Sequence, residues 1–506
     1  MITDGLLFEG KDWTFETLQE IHDAVEGVAR KELGLNTFPN QIEIITAEQM
    51  LDAYSSTGMP LLYRHWSFGK RFVQYEGVYR LGLQSLAYEI VINADPCISY
   101  VMEENSAVMQ ALVIAHAAFG HNHFFKNNYQ FRQWTDAAGI LDYLAYAKKY
   151  IAACEERYGE AEVERLLDAA HALMPQGIDR YPRRRPPSLV EEERRARERM
   201  EESERSFNDL WRTVPRPAKS GEKAIDHQRA LLRLPQENLI YFFEKSAPKL
   251  QPWQREILRI VRLLAQYFYP QQQTKVMNEG CATYCHYRIM NTLHETGRIG
   301  PGSFLEFLQS HTNAIRQPTA HDPAYAGINP YALGFDMMCD IARIVTNPTD
   351  EDRIWFPEIA GTGDEMAVLR DIWENYRDDS FIAQFLSPHL IRKWRMFHIV
   401  DEENAPKLRV GAIHNERGYR DLRRSLAAEY EVGRGAADIQ VVEVDLAGSR
   451  RLVLHHRVIA GKILEVADAA LVLRNIAALW GYDVVLEEVD AVTNEVLKAH
   501  MASPET

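Results

Sequence analysis

His116-Ala117-Ala118-Phe119-Gly120-His121-Asn122-His123 is the stretch whose reading decides the fold. It follows an apolar, helix-like run and sets three imidazoles close together. Imidazole is the commonest metal ligand and the one side chain that ordinarily titrates near neutral pH. A second dense patch lies far downstream, at Asn278-Glu279-Gly280-Cys281-Ala282-Thr283-Tyr284-Cys285-His286. Two such patches on two helices are what a metal or acid/base site in a helical protein needs. On a straight α-helix, positions seven apart fall within ~20° of each other, so His116 and His123 share a face. They also sit ~10 Å apart along the axis, too far to share an ion whose ligand atoms lie about 2 Å from it. His116 and His121 are five apart, which is wrong for the i, i+4 pair of a zinc-peptidase helix. A π-bulge would restore that alignment, Gly120 is the place for it, and such bulges favour functional sites. Alternatively the helix ends at Gly120, and His121 and His123 belong to a loop. The bland alternative to a metal is three histidines buried at a helix end, each satisfied by hydrogen bonds.

Outward from this patch, the spacing of Leu18, Ile21, Val25 and Val28 predicts an amphipathic helix over residues 14–34. Residues 40–46 and 87–93 are rich in β-branched side chains and read as short strands. Between them, Tyr63-Arg64-His65-Trp66-Ser67-Phe68-Gly69-Lys70 reads as a packed loop with a cation–π pair, or as a pocket lining. Residues 98–126 and 136–173 read as helices. Residues 175–220 then carry Arg183-Arg184-Arg185 and the charged run Glu191 to Arg205, with no apolar stripe. That composition predicts a solvated helix or linker. Helical periodicity returns over 236–268, 275–296, 300–345 and 364–399. After about residue 405 strands reappear, at 408–413, 439–445, 451–457 and 482–488, with helices at 416–430 and 465–480. That order, βαββαβ, is the split-βαβ pattern of a small ferredoxin-like module. The expected fold class is mainly α (α+β): a large helical core with short strands, plus this small C-terminal domain. The corresponding segments are 1–174 with the His patch, 175–220 as charged helix or linker, 221–404 with the Glu/His patch, and 405–506.

Composition narrows the function classes. With 46% hydrophobic and 25% charged residues the chain reads as an ordinary soluble globular protein. Its formal net charge of -15 should repel nucleic acid and anionic membranes. The N-terminus shows no basic region followed by an apolar stretch, and no apolar run is long enough to span a bilayer. The five cysteines fit reduced thiols in a cytoplasm better than a disulfide framework.

Glu279 and His286 are again seven apart, on one helical face, with Thr283 between them. A buried Glu is rare unless paired, so Glu279 among Met277, Gly280, Ala282 and Ile289 is either a ligand, a general base or a paired structural carboxylate. Cys281 and Cys285 read as packed apolar thiols rather than a soft metal pair. Glu103-Glu104 reads as a surface pair. No P-loop, dinucleotide-binding glycine pattern or Gly-x-Ser-x-Gly elbow is present.

At these residues the chain resembles the stage V sporulation protein R (SpoVR) family. The matching stretches are Pro39–Glu43, Tyr63–Lys70, Ala87–Asn93, Ala115–Phe125, Leu234–Asn238 and Asn278–Gly280. The resemblance spans about residue 14 to 400, and the C-terminal segment is similar too. It implies a link to spore cortex formation or, in bacteria that do not sporulate, to stress and starvation. It also implies two partners, a PrkA-like serine kinase and a von Willebrand-type protein. The chain departs from the family at Cys281 and Cys285, where tryptophans are usual. The Glu279 segment is also faintly similar to a Glu-Gly-Trp-Ala pattern of some helical zinc peptidases. Phe119-Gly120-His121 is similar to the end of their His-Glu-x-x-His helix, but Ala117 and Ala118 stand where the first His and the general-base Glu are expected.

The resulting expectation is a degenerate metallohydrolase-like core that binds zinc or another divalent metal. His116, His121 or His123, and Glu279 are its ligands, with His286 joining the metal set from behind. Glu89 or Glu279 takes the place of the missing base for hydrolysis of an amide, with peptidoglycan metabolism as the setting. The rival expectation is a non-enzymatic scaffold for the kinase, built on the charged segment 183–212 and the C-terminal module. A ferritin-like diiron site is disfavoured, because the Glu279 patch lacks Glu-x-x-His elements.

Overall fold

The Thr14 hydroxyl accepts a hydrogen bond from the Thr17 N–H and starts α1 (Phe15–Lys31). Leu18, Ile21, Val25 and Val28 bury one stripe of it, and Arg30 and Lys31 complement its C-terminal end. The computed structural model describes residues 5–56, 62–68, 89–180, 234–318, 327–397, 414–431, 436–459 and 461–504, with isolated residues or pairs between them. The chain divides into two units, Met1–Ala153 with Tyr267–Gly435, and Cys154–Gln266 with Ala436–Thr506. The described residues are mainly α, as the periodicity implies, with sheets of three and four strands and one two-stranded pair.

In the first unit, β1 (Asn40–Ile45), β2 (Glu89–Ile92) and β3 (Cys97–Met102) form a sheet in the order β1-β3-β2. β1 runs parallel and β2 antiparallel to β3. β3 corrects the expected helix over 98–126, because a short apolar run such as Cys97–Met102 has no decisive period of its own. Helix begins only after Ser106, whose hydroxyl accepts from the Met109 N–H and caps α2 (Ala107–Val113). Along β2, Ile90 and Ile92 are buried on one face, while Val91 packs against the main core. Strand alternation therefore turns Glu89 to the same side as Val91, towards the helices.

α2 continues without a break into a π-helix over Ile114–His121 and then the short helix Asn122–Asn127. Against it lies α3 (Lys275–Glu295), and against α3 lies α5 (Pro330–Thr346), with α4 (Pro301–Ala314) between those two in sequence. The Asp378 carboxylate, at the start of α6 (Asp378–Phe385), accepts from Val276 N and Met277 N at 2.8 and 2.9 Å and so caps α3. Glycines set how closely these helices meet. A Cβ on Gly120 would lie 2.6 Å from the Ala282 Cα, and one on Gly280 would lie 2.7 Å from the Gly334 Cα. Backbone thus touches backbone at both crossings. The first carries the His patch onto the Glu279 patch.

In the second unit, β4 (Ile439–Val444), β5 (Leu452–Val458), β6 (Val484–Asp490) and β7 (Val496–Ala502) form a sheet in that order. β5 and β6 are parallel, joined through helix Val466–Trp480, and the outer pairs are antiparallel. The order is ββαββ rather than the expected βαββαβ. Of the expected strand 408–413 only Arg409 and Val410 are described, and they pair with Ile399 and Val400. Helix Glu416–Glu429 packs on α6 in the first unit. The Leu234–Asn238 stretch also joins the second unit, where Gln236 pairs with Val441 on β4. The charged run 183–212 lies outside the described residues, apart from Arg194.

Candidate metal centre

A π-helix closes i to i+5 bonds, so residues five apart come round to one side. The rings of His116 and His121 accordingly meet, with centroids 4.6 Å apart. Across the Gly120–Ala282 crossing, α3 brings in Glu279. Its Oε2 lies 3.5 Å from His121 Nε2 and 3.8 Å from His116 Nε2. From the start of β2, Glu89 Oε1 reaches to 3.6 Å from His116 Nε2. Glu89, His116 and His121 each offer a ligand atom within 4.8 Å of the others. Four ligand-type atoms from three separate parts of the chain therefore converge.

These atoms are not satisfying one another. His116 Nε2 and Glu279 Oε2 are both buried and make no hydrogen bond. Each such orphan costs about 1–3 kcal/mol. Ligand atoms of a tetrahedral divalent ion stand about 3.3 Å apart for metal–ligand bonds near 2 Å. The three carboxylate–imidazole spacings, 3.5, 3.6 and 3.8 Å, exceed that by only a few tenths of an ångström, so a cation between these side chains fits the donor types.

Behind the quartet the outer nitrogens are engaged. His121 Nδ1 lies 2.9 Å from Asn278 Oδ1. His116 Nδ1 lies 2.9 Å from His286 Nδ1, and His286 Nε2 lies 2.9 Å from His311 Nδ1 on α4. The Tyr331 ring, at the start of α5, stacks on His116 with centroids 6.2 Å apart. Its hydroxyl stands beside Glu279.

The electrostatics follow from burial and from these pairings. Burial opposes a charge on His116, but the carboxylates of Glu279 and Glu89 outweigh it and raise its pKa. Burial likewise pushes Glu279 up, and His116 with His121 outweighs that and holds it low. Burial, reinforced by the Glu279 charge, raises Glu89 above the usual carboxylate range. Burial lowers His121 to about 4 despite Glu279. His286 falls well below its ordinary value, and His311 to about 4, through burial and then neighbouring imidazoles. The chain of outer imidazoles is therefore neutral.

The structure brings together Glu89, His116, His121 and Glu279, with His286 one step behind, but not His123. His123 is a correction to the expected ligand set. Its Nδ1 accepts from the Asn36 N–H at 2.9 Å, and its ring meets the edge of Trp373. Beside it, Asn122 accepts from Phe38 N and donates to Phe38 O and Asn40 Oδ1. Asn122 and His123 thus pin the segment that leads into β1, while His121 turns inward. His286 has both nitrogens against other imidazoles, so it supports rather than ligates. His311 and Tyr331 have no conspicuous sequence signal, and only the helix packing reveals them.

A family model described as "SpoVR like protein" matches residues 12–435, and one described as "SpoVR-like C-terminal domain" matches residues 437–491. The chain belongs to the SpoVR family. It is 52% identical over 486 residues to a protein of Escherichia coli (strain K12) described as "Uncharacterized protein YcgB", covering 95% of this chain and 94% of that one. No solved structure matches. Three of the stretches on which the resemblance rests also build the quartet. Ala87–Asn93 supplies Glu89, Ala115–Phe125 supplies His116 and His121, and Asn278–Gly280 supplies Glu279.

Proposed function

We propose that this SpoVR protein is a zinc-type metallohydrolase acting on an amide bond. His116, His121 and Glu279 would hold the divalent cation. A cation held there would supply Lewis acidity towards a water and an amide carbonyl. Glu89 faces the same centre from β2 and is the carboxylate placed to take the water's proton, the role that Ala118 cannot fill. Tyr331 stands where a phenol can hydrogen-bond a developing oxyanion. The family's link to cortex formation makes a peptide of the cell wall the substrate class to try first.

The observation that carries this reading is the pair of buried, unsatisfied atoms, His116 Nε2 and Glu279 Oε2, facing each other beside His121 and Glu89. Metal analysis of the purified full chain tests it. Wild type should carry about one divalent ion per chain, and His121→Ala should lose it. Equal and negligible metal in both proteins would end the proposal.

A second reading rests on the C-terminal segment of the second unit, which has a family model of its own. In it the chain is a docking partner of a PrkA-like serine kinase and a von Willebrand-type protein in a stress, starvation or sporulation response. Capture from stationary-phase cells tests it. Loss of those two partners on deleting residues 436–506 supports it, and unchanged partners count against it.

A further inference from the structure

Both histidines of the quartet present Nε2 to the centre and Nδ1 to the protein. The proton count follows from that placement. A neutral imidazole carries one N–H, and a nitrogen that ligates a cation must be bare. If His116 Nε2 is bare, its hydrogen is on Nδ1, and the 2.9 Å contact to His286 Nδ1 makes His286 the acceptor. The hydrogen of His286 must then be on Nε2, where His311 Nδ1 accepts it at 2.9 Å. Each contact holds one hydrogen, and all three rings point the same way. At His121 the same logic puts the hydrogen on Nδ1, donated to Asn278 Oδ1.

The acceptors share a chemical property: neither carries a charge. Histidines that bind metals usually donate their outer N–H to a carboxylate, a backbone carbonyl or water. Here two carboxylates already face the centre and balance a divalent ion. A third carboxylate behind His116 would leave a buried net negative charge, which is costly. An imidazole behind His116 and an amide behind His121 accept the hydrogen without adding charge. The ring of His311 is held for this purpose by Phe335, with centroids 4.9 Å apart, Tyr287 at 5.0 Å and Phe307 at 5.8 Å. His286 meets the edge of Phe307 at 6.0 Å.

We infer that His286, His311 and Asn278 form an uncharged positioning shell that locks His116 and His121 in the tautomer with a free Nε2, and so sets the affinity of the centre for a divalent cation. The inference rests on the metal-centre reading above and adds to it which residues tune the centre, and how. His311 is a positioning residue acting through His286, and none of the three touches the cation.

The test is zinc affinity of the full chain by chelator competition, with thermal unfolding of the metal-free protein as the control for folding. Loss of an outer hydrogen-bond partner costs metal sites about 10- to 100-fold in affinity. His286→Phe should weaken zinc binding by roughly that factor, and His311→Phe by roughly several-fold, since it acts one ring further out. His311→Gln keeps an acceptor for the His286 N–H and should restore most of the loss. Nitrogen-15 spectra of the zinc-loaded wild type should show His116 and His121 protonated at Nδ1. Wild type that binds no zinc removes both this inference and the metal-centre reading. Wild type that binds zinc while His286→Phe and His311→Phe bind it equally well removes only this inference. Equal loss in His311→Phe and His311→Gln overturns the tautomer argument as well.

Discussion

Each unit contains a buried glutamate between histidines, and the two clusters are built to opposite ends. In the second unit Glu488 is fully buried, but both oxygens have donors. Oε1 lies 2.8 Å from His500 Nε2, and Oε2 accepts from the Leu464 N–H at 2.9 Å. His456 Nδ1 completes the group at 3.5 Å without a hydrogen bond. In the first unit Glu279 Oε2 faces His116 and His121 at 3.8 and 3.5 Å, beyond hydrogen-bond reach, and has no donor. Residue type is the same in both places. Satisfaction differs: Glu488 locks a β-sheet to a loop, and Glu279 Oε2 is left without a donor. Protein structures retain such unsatisfied groups where function requires them.

The comparison breaks most severely if the two patches of the first unit are pushed apart. Gly120→Val places side-chain atoms where the Ala282 backbone stands, 2.6 Å from the site of a Cβ. The chain should lose about 3 kcal/mol of stability and its bound metal together, read by thermal unfolding and metal content. Retention of full metal occupancy in this variant would show that the crossing does not build the centre.

The next effect contrasts the two carboxylates directly. Glu488→Gln keeps an acceptor for Leu464 but places an amide against His500, and should cost about 2 kcal/mol with metal content unchanged. Glu279→Gln should abolish metal binding and cost the metal-free chain less than Glu488→Gln does, because Glu279 Oε2 has no hydrogen-bond donor to lose and gives up only its attraction to His116 and His121. Denaturant unfolding of both metal-free variants gives the two numbers. A larger loss for Glu279→Gln than for Glu488→Gln would reverse the comparison.

Acid should sharpen the same contrast in the second unit. Burial holds His456 below its ordinary 6.5, so the unfolded chain takes up that proton first and stability falls as pH drops through 6.5. Burial pushes Glu488 up, but His500, the Leu464 N–H and His456 outweigh it and leave it below its ordinary 4.5. Its contribution is present above 4.5 and is lost on further acidification. Amide hydrogen exchange across β4–β7 should therefore quicken, relative to its intrinsic rate, from pH 7 to 5, and His456→Phe should flatten that response. The smallest effect belongs to the half-exposed pair His455–Glu487, 3.1 Å apart on the outer side of β5 and β6. His455→Ala should change stability by about 0.5 kcal/mol or less, and a larger change would mean that this surface is covered.

The helical character of the chain and α1 are legible in their periods, because α1 buries a single stripe, and β1 and β2 are legible in their β-branched content. The two chemical patches are legible from composition. Their union is legible only in part. The five-residue spacing of His116 and His121 admits a π-helix or a loop, and what decides between them is the fit of Gly120 onto Ala282, a contact between residues remote in sequence. His123 looks equivalent to its neighbours until Asn36 claims its ring. β3 hides because six apolar-rich residues suit a strand and a helix alike. The second unit is drawn from two stretches with residues 267–435 between them, so a contiguous reading of residues 405–506 assigns Glu416–Glu429 to the wrong neighbours. His311 and Tyr331 matter only through partners on other helices, and no local pattern marks them.

X-ray absorption at the zinc edge of the purified, zinc-loaded full chain tests the central claim most directly. The account predicts a shell of nitrogen and oxygen at about 2.0–2.1 Å, with imidazole scattering from two histidines and no sulfur. That signal should disappear in His121→Ala and persist in His123→Ala. A sulfur shell near 2.3 Å, which would point to Cys281 and Cys285, or no bound zinc at all, would contradict it.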